Sequence, residues 1–495
     1  MSYTKRALKG FVIVFVINIL AAFLGYLIRI VLARNLSIAE YGLFFSVFTF
    51  VSLIGIFNGL GMGEALVKYI PEFLVKKKHD KIKSAVIIAL LVTLATVFVV
   101  GILLLIFSDF LAKHYFKNSL AAPLLLLFVI IMLISNLKGI LRVIFQAFQN
   151  MKIYSLMYLA ENFALLLILL AFFAFQKNIF SATTAYIAVY ALITIIFLPL
   201  LFKSFDFLKH KTSVEKELFN KLLRFGIPVT IAGIGGLIIV YTDTLVLTYF
   251  RSMEEVGIYN VIVPTAMILQ FFATSIATVI FPMVAELWAR KKKQYLELGL
   301  KMLYQYSFAI ILPAVLVVLA FSETVLRLMF GEGYVGGAFA MQILLLGIIF
   351  LGLHSITSTI LGGIGQPAIS TKILIQGAAL NFLLNLLLIP RLGIIGAALT
   401  SLIAYFYVAI MCIFKLRHFI KVQIPWLNWL KITFAGILML GLIFALKEVL
   451  MVNVYLESAA CAIVGGLFYL ALVIVLKVVN VSEVKGLAMH VLRKQ

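Results

Sequence analysis

Apolar residues in this chain come in long runs, separated by short polar interruptions. A helix that crosses the hydrocarbon core of a bilayer needs roughly 20 mainly apolar residues. Fourteen runs reach about that length: 11–33, 41–63, 84–107, 120–142, 154–175, 181–202, 222–249, 256–281, 301–321, 335–361, 369–390, 393–414, 429–449 and 455–478. Inside lipid, backbone N–H and C=O groups must bond within their own segment, which a helix does. The pattern therefore predicts an all-α polytopic membrane protein with about 14 transmembrane helices. The first run follows "MSYTKRALKG" and is too long for a signal peptide, with no small-residue cleavage site after it, so it is read as a span.

Two of the polar interruptions repeat each other. "LARNLSIAEYGLFFSVF" at 32–48 and "LTYFRSMEEVGIYNVIV" at 247–263 share S-x-x-E-x-G. Ser37 with Glu40, and Ser252 with Glu255, have the spacing of a capping box, in which each side chain satisfies a free N–H at a helix start. Gly42 and Gly257 follow in the first turn, where a missing side chain lets helices approach closely. Laid over each other without gaps, 11–42 and 226–257 agree at eight of thirty-two positions, and "AENF" at 160–163 is echoed by "ALNF" at 379–382. The alternative is a loop motif that simply recurs. The preferred reading is a duplication of spans 1–6 as spans 7–12, both copies in the same orientation. The expected organisation is an N-terminal lobe at 1–202, a cytoplasmic linker at 203–221, a C-terminal lobe at 222–414, and spans 13–14 with a cytoplasmic tail at 415–495.

Composition agrees with the pattern. The chain is 64% hydrophobic and 12% charged, with mean hydropathy +1.17, against about 25% charged in ordinary soluble domains. Its 41 Lys+Arg exceed its 19 Asp+Glu. With both ends cytoplasmic, 32 of those 41 cations fall on inner segments and 9 on outer ones, so the surplus follows the positive-inside rule. Clusters such as "KKKHDKIK" at 76–83 and "RKKK" at 290–293 share one side only if the count is right. The basic charge thus reports topology and attraction to anionic headgroups rather than nucleic acid. Cys412 and Cys461 each sit inside an apolar run and are read as packing residues.

Neither a phosphate-binding G-x-x-x-x-G-K-[ST] loop nor H-E-x-x-H occurs, and the six histidines are scattered. The longest connection, 203–221, is too short for a soluble catalytic domain, so an enzyme is not indicated. Attention moves to polar side chains within spans, which cost about 2.5–3.5 kcal/mol for a central charge and so mark candidate function. Arg29 lies about a turn inside span 1; it either snorkels to headgroups or faces the interior. Lys138 and Arg142, at i and i+4, share one helical face near the inner end of span 4. They are ordinary anchors or, if that face points inward, a cationic site for a diphosphate. Glu161 and Asn162 in span 5 and Asp243 in span 7 are candidates for cavity or gating roles. In the ungapped repeat Arg29 falls opposite Thr244 and Ile28 opposite Asp243, so the two charges are placed to meet as an ion pair in one state, or to hold separate partners. Glu64 and Glu286 are read as solvated ion-pair residues, and His354 as a packed histidine.

The stretch "RIVLARNLSIAEYGLFFSVFTFVSLIGIFNGLGMGEALVKYI", the repeated corner, a span 11–12 turn reading "PRLGIIGAALTS", and fourteen spans together resemble the polysaccharide transporter branch of the multidrug/oligosaccharidyl-lipid/polysaccharide exporter superfamily. The resemblance covers nearly the whole chain. It implies two six-helix lobes in a V plus two extra C-terminal helices, opening alternately to the two faces of the plasma membrane. It also implies a flippase for a polyprenyl-diphosphate-linked oligosaccharide in surface glycan assembly; the intramembrane cations Arg29, Lys138 and Arg142 are the candidate substrate contacts, and no motif indicates a cofactor. Implied partners are the lipid-linked substrate, membrane lipids, and glycosyltransferases or a polymerase of the same pathway. The alternatives are a cation-coupled exporter of small cationic drugs from another branch, and a non-transporting scaffold of a glycan-assembly complex.

Overall fold

A computed structural model describes residues 3–213, 215–449 and 453–478, and its regular elements are helices. The predicted tail beyond 478 lies outside the described residues. In chain order the helices are α1 (Tyr3–Asn35), α2 (Ile38–Ile54), a 3-10 segment (Gly55–Gly61), α3 (Met62–Val75), α4 (His79–Ile106) and α5 (Ser108–His114). There follow α6 (Ala121–Ala147), α7 (Met151–Phe175), α8 (Ile179–Ser204), α9 (Lys216–Phe250), α10 (Met253–Met267) and α11 (Gln270–Ala289). The remainder are α12 (Lys293–Ala320), α13 (Ser322–Met329), a second 3-10 turn (Glu332–Gly337), α14 (Ala338–Gly363), α15 (Pro367–Leu416), α16 (Trp426–Val449) and α17 (Val454–Val475).

Among the described residues twelve candidate spans are long and apolar enough to cross a membrane. The 35-residue α9 contributes a shorter apolar stretch, Ile238–Phe250. At 50 residues α15 is about twice the length of one crossing. It reverses at Gly393, whose φ of 56° and ψ of −132° lie outside the helical region. Asn381 donates to Ser401 at 3.5 Å and the Thr400 hydroxyl donates to Asn385, pairs that meet only because the chain folds back on itself. With α9 counted and α15 taken as a hairpin, the described helices come to about the fourteen runs predicted.

Two predicted runs are interrupted. The run 41–63 is part of a longer α2–3-10–α3 segment that extends to Val75, and 256–281 is divided between α10 and α11. The first break falls in "GIFNGLGMG", where Gly59 (φ 72°), Leu60 (φ 48°) and Gly61 (φ 74°) take left-handed conformations. Irregular backbone at membrane depth needs partners from protein, and Thr96 supplies one, its hydroxyl accepting from the Gly59 N–H at 2.8 Å.

Helix starts are capped as the spacing predicted, in one copy fully and in the other partly. Ser37 and Glu40 form a closed capping box on α2. The Ser252 hydroxyl accepts from the Glu255 N–H at 3.3 Å, but the Glu255 carboxylate turns to Arg251 at 2.8 Å. Asn150 and Asn178 cap α7 and α8 with their side-chain oxygens.

Met1–Asn260 and Val261–Gln495 are two compact units. In the first, α9 runs along α2, the 3-10 segment and α3. The repeated glycines pack against each other's helices: a Cβ on Gly42 would lie 1.9 Å from the Met253 carbonyl oxygen, and one on Gly257 would lie 2.3 Å from that of Ile38. A second close approach joins Gly61 to Gly226. Tyr41, Phe44, Phe128 and Phe145 are fully buried in this unit. In the second unit Tyr304, Leu361 and Cys412 centre one core, and Met439, Cys461 and Tyr469 another on α12, α16 and α17. Both cysteines are buried and free, as packing residues should be.

Candidate functional site

Of the polar candidates in the first unit, Arg29 lies on α1, Lys138 and Arg142 on α6, Glu161 and Asn162 on α7, and Asp243 on α9. Lys138 on α6 is 8% exposed, and its Nζ sits 2.6 Å from Glu161 Oε1 on α7 and 3.5 Å from the centroid of the Tyr190 ring on α8. Burial of an ammonium is costly unless a counter-charge and hydrogen bonds replace its water. Here a carboxylate and an aromatic face do so.

Arg142 lies one turn further along α6, against two tyrosines. Its Nε donates to the Tyr154 carbonyl at 3.3 Å, and the guanidinium lies over the Tyr154 and Tyr158 rings at 4.3 and 4.9 Å. Asn162 donates to the Tyr158 carbonyl at 2.9 Å and presses its Oδ1 toward Gly25 of α1, leaving 3.2 Å for any Cβ there. Lys138 and Arg142 do share a face, and it points at α7 and α8.

Arg29 on α1 turns into the unit. Its Nη1 donates to the Asn260 carbonyl at 3.3 Å, its guanidinium covers the Phe45 ring at 4.5 Å, and the Tyr41 hydroxyl lies beside it. Tyr186 stands close enough to sense both Arg29 and Glu161, and Tyr190 is close to Glu161 and Tyr158. The result is a ladder of cations and tyrosines: Arg29, Tyr41, Tyr186, Tyr190 with Lys138 and Glu161, then Tyr158 and Arg142. Three cations face one carboxylate along it, so the ladder carries formal charge +2 before any ligand arrives. Guanidinium groups and tyrosine hydroxyls are donors suited to phosphate oxygens.

Asp243 is set apart. It accepts from the Tyr259 hydroxyl at 2.6 Å, while Arg29 is bound to the neighbouring Asn260. The two charges that the repeat aligned thus engage consecutive residues of α10 and hold separate partners. Glu286 pairs with Arg290 at 2.8 Å in an exposed bridge, as expected. Glu64 instead lines a cavity of about 240 Å³ with Asn58, Thr93 and Asn136, beside the helix break. The tyrosines were not among the predicted site residues. Their signal was in the sequence: Tyr154 and Tyr158, and Tyr186 and Tyr190, are i, i+4 pairs that place two rings on one helical face.

A family model described as "Polysaccharide biosynthesis protein" matches residues 7–288, more than half of the chain. The chain belongs to the polysaccharide biosynthesis protein family. A second family model, MatE, matches 228–387. An uncharacterized membrane protein of Methanocaldococcus jannaschii is 33% identical, the alignment covering 100% of both chains. The "Probable low-salt glycan biosynthesis flippase Agl15" of Haloferax volcanii is 23% identical over 96% of this chain and 97% of its own. Among solved structures, the lipid II flippase MurJ in an inward closed conformation superposes with a TM-score of 0.76 at 17% identity, covering 93% of this chain and 98% of that one. The chain therefore shares the multi-pass helical fold of that structure.

Proposed function

We propose that the protein moves a polyprenyl-diphosphate-linked oligosaccharide from the inner to the outer leaflet by alternating access, with both termini cytoplasmic and without making or breaking a covalent bond. One observation carries the reading: a part-buried ladder in which Arg29, Lys138 and Arg142 outnumber the carboxylate of Glu161 and are spaced by tyrosines. A diphosphate supplies the negative charge that this ladder lacks. Its lipid tail has no need of a polar path and stays in the bilayer. Export of the anionic head from an inside-negative cell is helped by about 2.3 kcal/mol per charge per 100 mV. Likeness to relatives that bear flippase and O-antigen transporter names supports the same substrate class.

Head charge offers the test. Purified protein should bind a fluorescent polyprenyl diphosphate more tightly than the corresponding monophosphate, and Arg142→Gln should narrow the difference. Equal binding of both lipids, or of an uncharged prenol, would remove the basis of the proposal.

A cation-coupled drug exporter is the second reading, favoured by the MatE match over 228–387. Cationic drugs require available carboxylates, and here Glu161 is held by Lys138 while Asp243 is engaged by Tyr259. Ethidium efflux that depends on a sodium or proton gradient, together with failure to bind the diphosphate lipid, would favour that reading instead.

A further inference from the structure

At the end of the first unit where α3 turns into α4 and α8 leads to α9, two connections border an open cavity of about 570 Å³, within the usual size range of small-molecule sites. The α3–α4 turn spans only 76–78, and the Lys78 N–H closes it on the Phe73 carbonyl at 2.9 Å. The other connection, 205–215, is laid on the start of α4 by specific bonds. Lys211 donates its backbone N–H to Asp80 Oδ1 at 3.0 Å, Ser213 donates its own to Ser84 Oγ at 3.0 Å, and Lys83 Nζ donates to the His210 carbonyl at 2.8 Å. The His210 ring stacks on those of His79 and Phe205, with centroids 5.2 and 5.1 Å away. Bonded backbone and stacked rings thus fix the walls of the cavity.

Its charges do not balance. Lys77, Lys78, Lys81 and Lys211 line it against Asp80 and Glu215, so the lining carries formal charge +2 with the histidines neutral. Both carboxylates already have partners. Glu215 lies 3.5 Å from Lys81 and accepts from the Ser213 hydroxyl at 3.0 Å, while Asp80 takes the Lys211 N–H and lies 3.4 Å from His210 Nδ1. Lys76, the remaining cation of the turn, is spent on Glu72 at 2.7 Å. Among the described residues the ammonium groups of Lys77, Lys78 and Lys211 enter no ion pair. They come from both connections, so an anion seated between them is met from two segments of the chain.

What borders the cavity marks the source of that anion. Val75, immediately before the turn, is 84% exposed, and Leu208, in the second connection, is 87% exposed. Bare apolar side chains beside a basic cavity at the ends of spans suit a bilayer surface, which covers them, and not a dissolved anion, which does not. Diffuse attraction of lysines to headgroups needs no cavity. A walled one with three unmatched ammonium groups gives a single phosphate charge-assisted hydrogen bonds from fixed directions. We propose that this cavity binds the phosphodiester headgroup of an anionic glycerophospholipid, its phosphate bridging Lys77 and Lys78 on the α3–α4 turn to Lys211 on the 205–215 connection. The site shares no residue with the ladder and its occupant is a resident membrane lipid, so the inference stands independently of the flippase reading.

The test is equilibrium binding of two fluorescent lipids with identical acyl chains, phosphatidylglycerol and phosphatidylcholine, to the full chain in a non-ionic detergent. Both carry a phosphate, and only the first is a net anion. The wild type should prefer phosphatidylglycerol. Lys77→Gln, Lys78→Gln and Lys211→Gln should each weaken that lipid by about 5-fold, the scale of one lysine near an anionic surface, and leave phosphatidylcholine unchanged. Equal loss of charge elsewhere, by Lys291→Gln, Lys292→Gln and Lys293→Gln together in the second unit, should preserve the preference. All six side chains are exposed, so folding does not hang on them. Equal affinity of the wild type for the two lipids would overturn the site. So would a second-unit variant that loses the preference as fully as the cavity variants, since diffuse charge would then suffice. Complete displacement of phosphatidylglycerol by millimolar inorganic phosphate would also overturn it, by assigning the cavity to a soluble anion.

Discussion

Breaking the Lys138–Glu161 pair separates a structural contribution from a functional one. The two side chains are 10% and 13% exposed and 2.6 Å apart, so neither charge has much water to fall back on. Removing one partner of a buried pair typically costs about 3–5 kcal/mol, because the other is left uncompensated. Lys138 keeps the Tyr190 ring at 3.5 Å when Glu161 is lost, a contact worth about 0.5–2 kcal/mol. Lys138 is the cation that pairs with Glu161. Lys138→Met should therefore destabilise more than Glu161→Gln, by about 1 kcal/mol. Replacing both, as Lys138→Met with Glu161→Leu, exchanges an ion pair for apolar contact and should recover most of the loss. Thermal melting of the purified variants in one detergent gives the order: wild type and double variant close together, Glu161→Gln lower, Lys138→Met lowest. Flipping should not follow that order, since the double variant has lost a cation of the ladder and should transport poorly despite its stability. A Lys138→Met protein as stable as the wild type would refute the reasoning, as would a double variant that melts with the singles.

Arg142→Lys should lose binding of a diphosphate lipid nearly as fully as Arg142→Gln, since an ammonium cannot reproduce a planar guanidinium stacked on Tyr154 and Tyr158; titration of the fluorescent lipid measures it. Gly42→Ala and Gly257→Ala should each destabilise by about 1–3 kcal/mol, because backbone oxygens stand 1.9 and 2.3 Å from the new methyl group. Gly299→Ala, with nothing within 4 Å, should be neutral or slightly stabilising in the same melting assay. Reporters after Lys78 or Lys293 should read as cytoplasmic and reporters near Lys117 or Glu332 as external; one on the wrong side would break the topology. Glu215, just before α9, is held below the usual carboxylate range by the Ser213 hydroxyl and by Lys81. Its contribution is full at neutral pH and is lost as pH falls through that lowered value, so acid-stable proteases should cut the 203–215 connection faster only below the ordinary glutamate value of about 4.3.

What the sequence could announce was what lipid imposes on any helix. Run lengths located the spans, and the S-x-x-E spacing located a capping box that closes at Ser37 and Glu40. The repeat even pointed to two glycines that turn out to pack on each other's helices. It did not reveal the break at Gly55–Gly61, although four glycines in "GIFNGLGMG" carried the signal, because hydropathy is blind to backbone conformation. Nor did it distinguish anchors from interior charges. Lys138 and Arg142 look alike on a helical wheel, and only tertiary packing shows that one meets a carboxylate and the other two tyrosines. Arg29 and Asp243 engage Asn260 and Tyr259 here for a related reason: sequence register aligns positions, whereas a charge bonds to whatever the neighbouring helix presents. His354, read along the chain as a packed histidine, is buried in α14.

The central claim is tested most directly by transport itself. Protein reconstituted in liposomes with a fluorescent polyprenyl-diphosphate-linked oligosaccharide should move the label to the opposite leaflet, made accessible there to an impermeant quencher, much faster than protein-free liposomes do. The variant carrying both Lys138→Gln and Arg142→Gln, inserted to the same level, should fall toward the protein-free rate. Translocation no faster than in empty liposomes would contradict the account, and so would a double variant that flips the lipid at the wild-type rate.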